Sequence, residues 1–180
     1  MKVTSTQLQD CKIIEPDVYG DERGFFLETF QQNRYKDMAG IDEIFVQDNY
    51  SRSSKGVLRG LHFQRKRPQG KLVRVVKGSV FDVSVDIRPL SSTFGKWISV
   101  ELTEDNKKQI WIPPGFAHGF LVLSDFADFE YKCTSFYDPS DEGIIHWQDN
   151  DLAIDWPKDF DIKISEKDSS APTFKSIFNL

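Results

Sequence analysis

The chain has 180 residues, with 23 lysines and arginines against 28 aspartates and glutamates, which gives a formal net charge of −5. This length suits a single domain spanning residues 1–180 with a sizeable hydrophobic core. The acidic balance argues against a general binder of nucleic acid or of an anionic membrane, which would need a basic surface. Aromatic residues make up 13% of the chain, and this enrichment in strand-forming side chains favours a β-rich globular protein.

Cysteine content and the lack of long apolar runs indicate where the protein works. Cys11 and Cys133 are the only cysteines and lie far apart, so they form neither a disulfide framework nor a thiolate zinc site. The first residues lack the apolar core of a signal peptide, and no segment approaches the roughly 18 uninterrupted apolar residues of a membrane span. We therefore expect a cytoplasmic protein.

Short strands dominate the predicted secondary structure, because apolar and polar residues alternate along much of the chain. The predicted strands cover residues 23–30, 44–51, 56–63, 71–76, 80–88, 96–102, 108–113, 118–124 and 129–137. Residues 80–88 alternate most clearly, which predicts a strand with one buried and one exposed face. Many short strands joined by glycine-containing turns predict an all-β sandwich, jelly roll or barrel.

Helix is predicted at only two places. Residues 31–40 are the better candidate, with a helix that ends at Gly40, and a short helix is expected near Ser165, where Asp168 has the spacing of a capping box. From about residue 149 the sequence predicts a less regular segment within the same domain.

Polar residues inside apolar strands mark a candidate site. Arg59 and His62 lie three positions apart in GVLRGLHFQ, so they share a pocket only if the strand bends, and Gly60 could supply the bend. Lys71 begins the next strand, and His118 follows a Pro-Pro-Gly turn. A single histidine in a strand is usually structural, which is our expectation for His146. Two histidines among cations in two short segments favour a site instead.

Metal ligation is disfavoured by the residues that surround His62. A double-stranded β-helix that binds metal usually carries a His-x-His pair and a nearby carboxylate, but Gln64 stands at the second position and no acid occurs between Phe63 and Lys71. Two imidazoles beside so many cations make a poor divalent site. We predict that the protein uses no metal and no other cofactor.

The cations in and near these strands suggest a different ligand. Guanidinium groups bind phosphate oxygens in a bidentate manner, and the chain has no glycine-rich phosphate loop that would do so with its backbone. A small polyanion would therefore be held by side chains, for which the candidates are Arg23, Arg59, Lys71 and Lys167.

Several of these segments together resemble the dTDP-4-dehydrorhamnose 3,5-epimerase family of metal-independent cupins. The resemblance runs from about Asp21 to Asp168 and rests on the segments DERGFFLETF, FVQDNYSRSSKGVLRGLHFQ, QGKLVRVVKGSVFDVSVDIR, STFGKWISVELTEDNKKQIWIPPGFAHGF, YKCTSFYDPSDEGIIHW and SEKD. It implies a cupin-type jelly roll (a double-stranded β-helix) with a few short helices. It also implies a homodimer with strands exchanged between subunits and a dTDP-4-keto-6-deoxyhexose as substrate.

The resemblance implies a role for each candidate residue. His62 corresponds to the catalytic base, Asp168 to its carboxylate partner and Tyr131 to the general acid. Lys71 corresponds to the residue beside the C4 oxygen, with His118 nearby in the sugar pocket. The residues implied to hold the nucleotide and diphosphate are Arg23, Phe25, Glu28, Gln47, Asn49, Arg59 and Tyr137. Of these, Arg23 and Glu28 are implied to reach the site of the neighbouring subunit.

The residue types suit the implied reaction, which converts dTDP-4-dehydro-6-deoxy-D-glucose to dTDP-4-dehydro-L-rhamnose by inversion at C3 and C5. Epimerisation beside a ketone needs a base, a group that stabilises the enolate, and an acid on the opposite face. Three alternatives stay open: an epimerase of C3 alone or C5 alone acting on a related 4-keto deoxysugar nucleotide, a metal-dependent cupin oxygenase or isomerase, and a non-catalytic nucleotide-sugar binder.

Overall fold

Two antiparallel sheets make up most of the structure, a computed structural model that describes residues 1–180. The strands are β1 (Lys2–Ser5), β2 (Lys12–Glu15), β3 (Val18–Asp21), β4 (Gly24–Leu27), β5 (Gln47–Ser54), β6 (Leu58–Gln64), β7 (Lys71–Lys77), β8 (Ser79–Asp86), β9 (Trp97–Thr103), β10 (Gln109–Ile112), β11 (Phe116–Val122), β12 (Phe126–Cys133) and β13 (Glu142–Ile144). The helices are α1 (Gln32–Ala39), α2 (Glu166–Ser169) and α3 (Phe174–Phe178).

The strand order is that of a jelly roll, which confirms the predicted all-β fold class. One sheet has six strands in the order β1-β2-β10-β7-β12-β5, and the other has five in the order β13-β6-β11-β8-β9. The strands β3 and β4 form a separate hairpin. The largest hydrophobic cluster contains Val73 and Phe129 from the first sheet together with Val100 and Phe120 from the second, so the sheets pack face to face.

Residues 79–86 form the strand β8 as predicted, but the expectation that one face of this strand is exposed is wrong. Asp82 and Ser84 on the polar face of β8 are fully buried, because that face points between the two sheets. The apolar face is also covered: Val83 and Val85 pack in a second cluster with Trp156, which belongs to the irregular C-terminal segment. The polar side of this strand therefore lines the interior of the jelly roll rather than meeting solvent.

The predicted helix boundaries agree with the structure to within one residue. The side chain of Gln31 caps the start of α1, and Gly40 ends it in the left-handed region with φ of 66°. Ser165 caps α2 by accepting a hydrogen bond of 3.1 Å from the backbone N–H of Asp168, as the capping-box spacing predicts. The short elements β1, β2, β3, β13 and α3 were not predicted. No helix here has the length and apolar character needed to cross a membrane.

Candidate active site

A bulge in β6 brings two predicted site residues to the same face of the strand. His62 pairs with His118 on β11, and Arg59 pairs with Phe120, so two residues of β6 lie opposite Gly119 alone. Gly60 has φ of 133°, and a Cβ at this position would lie 2.5 Å from the Gly119 Cα. The bend expected at Gly60 is therefore confirmed, and only glycine fits there.

The His62 imidazole is held by a carboxylate from the C-terminal segment. Its Nε2 lies 2.7 Å from Oδ1 of Asp168, whose side chain is only 5% exposed. The second carboxylate oxygen accepts a hydrogen bond of 3.3 Å from the backbone N–H of Gly60. Burial acts to raise the pKa of Asp168, but the hydrogen bond and charge of His62, together with hydrogen bonds from Gly60 and Ser165, hold this pKa below its ordinary value. Asp168 is therefore an anionic partner that fixes the ring of His62.

A second histidine–carboxylate pair lies beside the first. Nε2 of His118 is 2.8 Å from Oδ2 of Asp82, and both side chains are buried. The other oxygen of Asp82 and the hydroxyl of Ser84 are buried without a hydrogen-bond partner. Asp82 was not predicted as a site residue, although it lies on the polar face of a strand whose other face is apolar.

Lys71 and Tyr131 belong to the opposite sheet and face these histidine pairs. Burial lowers the pKa of Lys71, while the negative charges of Asp82 and Glu142 on the five-stranded sheet oppose that shift. Burial raises the pKa of Tyr131 to about 12, and the charge of Arg59 opposes the shift. Asp82, Glu142 and Arg59 of the five-stranded sheet therefore lie near Lys71 and Tyr131 of the six-stranded sheet.

The entrance to the space between the two sheets is lined by polar residues of β5 and of the segment after β12. A cavity of about 270 Å³ is bounded by Gln47, Asn49, Gln69, Tyr131 and Tyr137. The backbone N–H of Tyr137 donates to Oε1 of Gln47 at 2.8 Å, and Nε2 of Gln47 donates to Oδ1 of Asn49 at 2.9 Å. Three of the predicted nucleotide-binding residues are therefore joined in one hydrogen-bonded wall.

Glu142 connects two further predicted residues at the same entrance. The hydroxyl of Tyr137 donates to Oε2 of Glu142 at 3.2 Å, and the ammonium of Lys167 forms an ion pair with the same oxygen. Lys167 directly precedes Asp168 on α2, so this ion pair also holds the helix against β13. Glu142 was not predicted as a site residue, because it lies in a turn-rich segment without a periodic pattern.

Arg59 extends towards solvent from the same face, where its Nε donates to the Ser53 hydroxyl at 3.1 Å. Three other predicted residues do not reach this space within one chain. Arg23 is paired with Asp21, Glu28 forms an ion pair with Arg34, and the ring of Phe25 contacts the ammonium of Lys107.

No three histidine, cysteine, aspartate or glutamate side chains lie close enough together to hold a metal ion. His146, expected to be structural, accepts a hydrogen bond through Nδ1 from the backbone of Gln148 and takes no part in the space between the sheets.

Comparison with known proteins identifies the family. The sequence model of the dTDP-4-dehydrorhamnose 3,5-epimerase family matches residues 5–176. The chain belongs to that family. The dTDP-4-dehydrorhamnose 3,5-epimerase of Escherichia coli (strain K12) is 54% identical over 181 residues, which cover 100% of this chain and 98% of the relative. Like its curated relatives, this family member is an epimerase, an enzyme of the isomerase class.

Solved structures of the family have the same fold. The dTDP-6-deoxy-D-glucose-3,5-epimerase of Legionella pneumophila, in complex with dTDP-4-keto-L-rhamnose, superposes with a TM-score of 0.93 at 57% identity and covers 96% of this chain and 92% of its own. A 3′-monoepimerase from Streptomyces bikiniensis, in complex with dTDP-quinovose, gives a TM-score of 0.90 at 32% identity, with coverage of 97% and 90%. The family fold thus accommodates epimerases that differ in the number of carbons they invert.

Proposed function

We propose that the protein inverts C3 and C5 of dTDP-4-dehydro-6-deoxy-D-glucose to give dTDP-4-dehydro-L-rhamnose in dTDP-L-rhamnose biosynthesis, without a metal or cofactor. The observation that carries the proposal is the placement of a carboxylate-held histidine, His62, on one sheet and of a phenol, Tyr131, on the sheet that faces it. A base and an acid on opposite sides of one space are what inversion of a carbon requires.

Proton abstraction is assigned to His62. Its Nε2 is hydrogen-bonded to the Asp168 carboxylate, so Nδ1 is the atom that accepts the proton from the carbon next to the C4 ketone. The electrons of the broken C–H bond move to the C4 oxygen and form an enolate. Asp168 stabilises the imidazolium that results, as carboxylates paired with histidine do in other enzymes.

The enolate and its protonation are assigned to the six-stranded sheet. Lys71 donates an N–H to the C4 oxygen, a contribution of the oxyanion-hole type. Tyr131, whose pKa is raised to about 12 by burial, keeps its proton near neutral pH and delivers it to the carbon from the face opposite His62. The His118–Asp82 pair borders the sugar pocket beside Lys71.

The nucleotide and diphosphate are assigned to the cavity wall of Gln47, Asn49 and Tyr137 and to the cations Arg59 and Lys167. We further propose a homodimer with strand exchange, in which Arg23, Phe25 and Glu28 complete the site of the partner. The exposed apolar surface of the β3–β4 hairpin supports this assembly, because Val18, Tyr19, Phe25 and Phe26 are all exposed in the single chain. A cytoplasmic location is proposed from the two unpaired, buried thiols, which suit a reducing compartment.

Inversion at C3 alone is the second candidate function, favoured by the likeness to the Streptomyces 3′-monoepimerase. The experiment that separates the two is incubation with the 4-keto sugar nucleotide in D₂O, followed by NMR of the sugar protons. Deuterium at C3 and C5 is the expected result, and deuterium at C3 alone supports the second candidate. The control is dTDP-glucose, which lacks the ketone and should take up no deuterium. No incorporation from the 4-keto substrate overturns both candidates.

A further inference from the structure

Cys133 occupies an unusual position for a buried apolar side chain. It is fully buried, yet it alone among the buried apolar residues belongs to none of the three hydrophobic clusters. On β12 it lies two positions after Tyr131, so both side chains point to the interior face. Its cross-strand partners are Lys71 on β7 and Gln47 on β5. The thiol is therefore surrounded by the polar groups of the site rather than by the core.

The sulfur of Cys133 ends a hydrogen-bond chain that has a fixed direction. A backbone N–H can only donate, so the bond from Tyr137 fixes the oxygen of the Gln47 amide. The nitrogen of Gln47 then donates to the oxygen of Asn49, which fixes the second amide. The nitrogen of Asn49 finally donates to Sγ of Cys133 at 3.5 Å. Burial raises the pKa of Cys133 despite the nearby charge of Lys71, so the group at the end of the chain is a neutral thiol.

This direction determines what the cavity wall offers to a ligand. Each side-chain amide has two N–H bonds, and the chain uses one from Gln47 and one from Asn49. Both residues border the cavity, so each keeps one N–H for a ligand. The wall therefore offers two hydrogen-bond donors and no exposed carboxylate. This combination suits the oxygen atoms of a nucleoside diphosphate, which accept hydrogen bonds and carry negative charge.

We propose that Cys133 is a positioning residue for ligand binding: its sulfur accepts the Asn49 amide and so keeps that amide turned with an N–H towards the nucleotide. The inference rests on the proposed function for the identity of the ligand. A side chain without an acceptor at this position leaves the Asn49 amide free to rotate and its inner N–H without a partner.

The test is calorimetric binding of dTDP to the wild-type protein and to three variants. Cys133→Ala should weaken binding about threefold to tenfold, the range expected for one neutral hydrogen bond. Cys133→Ser keeps an acceptor and should bind within about twofold of wild type. Cys11→Ala is the matched control, because it removes a buried thiol from the largest hydrophobic cluster, and it should bind dTDP as wild type does. Equal weakening by Cys133→Ala and Cys133→Ser would assign the effect to packing and overturn the proposal.

A double-mutant cycle tests whether Cys133 acts through Asn49. In an Asn49→Ala background, Cys133→Ala should cause no further loss of dTDP affinity, because the amide that it positions is gone. Losses that add would contradict the proposal. Steady-state kinetics should agree: Cys133→Ala should raise KM while kcat stays within about twofold of wild type, since the sulfur does not touch the reacting carbons.

NMR of the ligand-free protein separates this inference from the proposed function. The side-chain NH₂ signals of Asn49, assigned by their loss in Asn49→Ala, should show one proton protected from exchange in wild type and Cys133→Ser but not in Cys133→Ala. Unchanged signals in Cys133→Ala would refute the positioning role. A wild-type protein that does not bind dTDP refutes the proposed function, while the Asn49 signals still decide the role of Cys133.

Discussion

The Nε2 atom of His62 and the Oδ1 atom of Asp168 lie 2.7 Å apart, although the residues are separated by 106 positions in the sequence. His62 belongs to strand β6 of the five-stranded sheet, whereas Asp168 is the buried residue of a single-turn helix that contacts this strand. The backbone N–H of Gly60 binds the second oxygen of the carboxylate, so the β6 bulge fixes both members of the pair. The proposed base is thus oriented by a contact between two parts of the fold that lie far apart in the sequence.

Replacing Asp168 with asparagine should lower kcat by about a hundredfold or more, because the neutral amide neither fixes the same tautomer of His62 nor stabilises its protonated form. Initial rates on the 4-keto sugar nucleotide measure the loss, and dTDP affinity should change little. Glu166→Gln removes an exposed carboxylate from the same helix and serves as the control. Comparable losses in both variants would show that helix stability, not the His62 contact, is responsible.

Tyr131→Phe should separate proton abstraction from inversion. Without the phenol, His62 still removes the proton and exchanges it with solvent, but it can return a deuteron only to the face from which it took the proton. We therefore expect deuterium to enter the substrate in D₂O with its configuration retained, while formation of the inverted product slows by at least about a hundredfold. NMR reports both quantities. Tyr50→Phe changes an exposed tyrosine and should behave as wild type; fast inversion in Tyr131→Phe would remove Tyr131 from the role of acid.

Lys71→Met should make the protein more stable and catalytically weak. Burial lowers the pKa of Lys71, so between this lowered value and the ordinary lysine value near 10.4 the unfolded chain binds more protons than the folded one. Wild-type stability should therefore rise with pH across that window, and the advantage of Lys71→Met at pH 7 should shrink as pH 10.4 is approached. Denaturant unfolding at several pH values measures this. The control, Lys96→Met, removes an exposed ammonium; a destabilised Lys71→Met protein would contradict the expectation.

Mixed dimers test whether Arg23 serves the partner subunit. The Arg23 side chain is 85% exposed and contacts only its own hairpin, so the proposed role requires a second copy. Arg23→Ala and His62→Ala proteins should each be nearly inactive as homodimers. After co-refolding in equal amounts, about a quarter of all sites should combine an intact His62 with an intact Arg23 from the other subunit, and activity should recover accordingly. If two different affinity tags show that mixed dimers have formed but activity does not recover, Arg23 would be assigned to its own chain or to no site.

Local patterns in the sequence predict most of this fold. Alternation predicts the strands of both large sheets from β5 to β12, and the residues Gly40 and Ser165 predict where α1 ends and where α2 begins. The bend at Gly60 was also predictable, because Arg59 and His62 cannot otherwise face one pocket. These features depend on residues close together in the sequence, where backbone geometry and capping decide the outcome.

Contacts between distant elements were not predictable from spacing. The polar face of β8 was expected to meet solvent, but Asp82 is buried because the opposite sheet and His118 cover it. The partner of His62 depends on where the irregular C-terminal segment docks, and no periodicity encodes that. Only the resemblance to a known family, and no pattern in the residues themselves, predicts that Asp168 and Tyr131 belong to the site.

Catalysis by a newly folded chain should also require that α2 is docked, because this helix carries Asp168. A chain whose two sheets have formed, but whose C-terminal segment has not yet docked, has an intact cavity wall and a His62 ring that no carboxylate orients. Such an intermediate should turn over no substrate, because the proposed base is not oriented, and it should also bind the diphosphate more weakly, because Lys167 is absent from the entrance. Recovery of turnover after refolding should therefore report the docking of α2, and cleavage between Asp149 and Ser165 should both inactivate the enzyme and weaken the second hydrophobic cluster, to which Trp156 belongs.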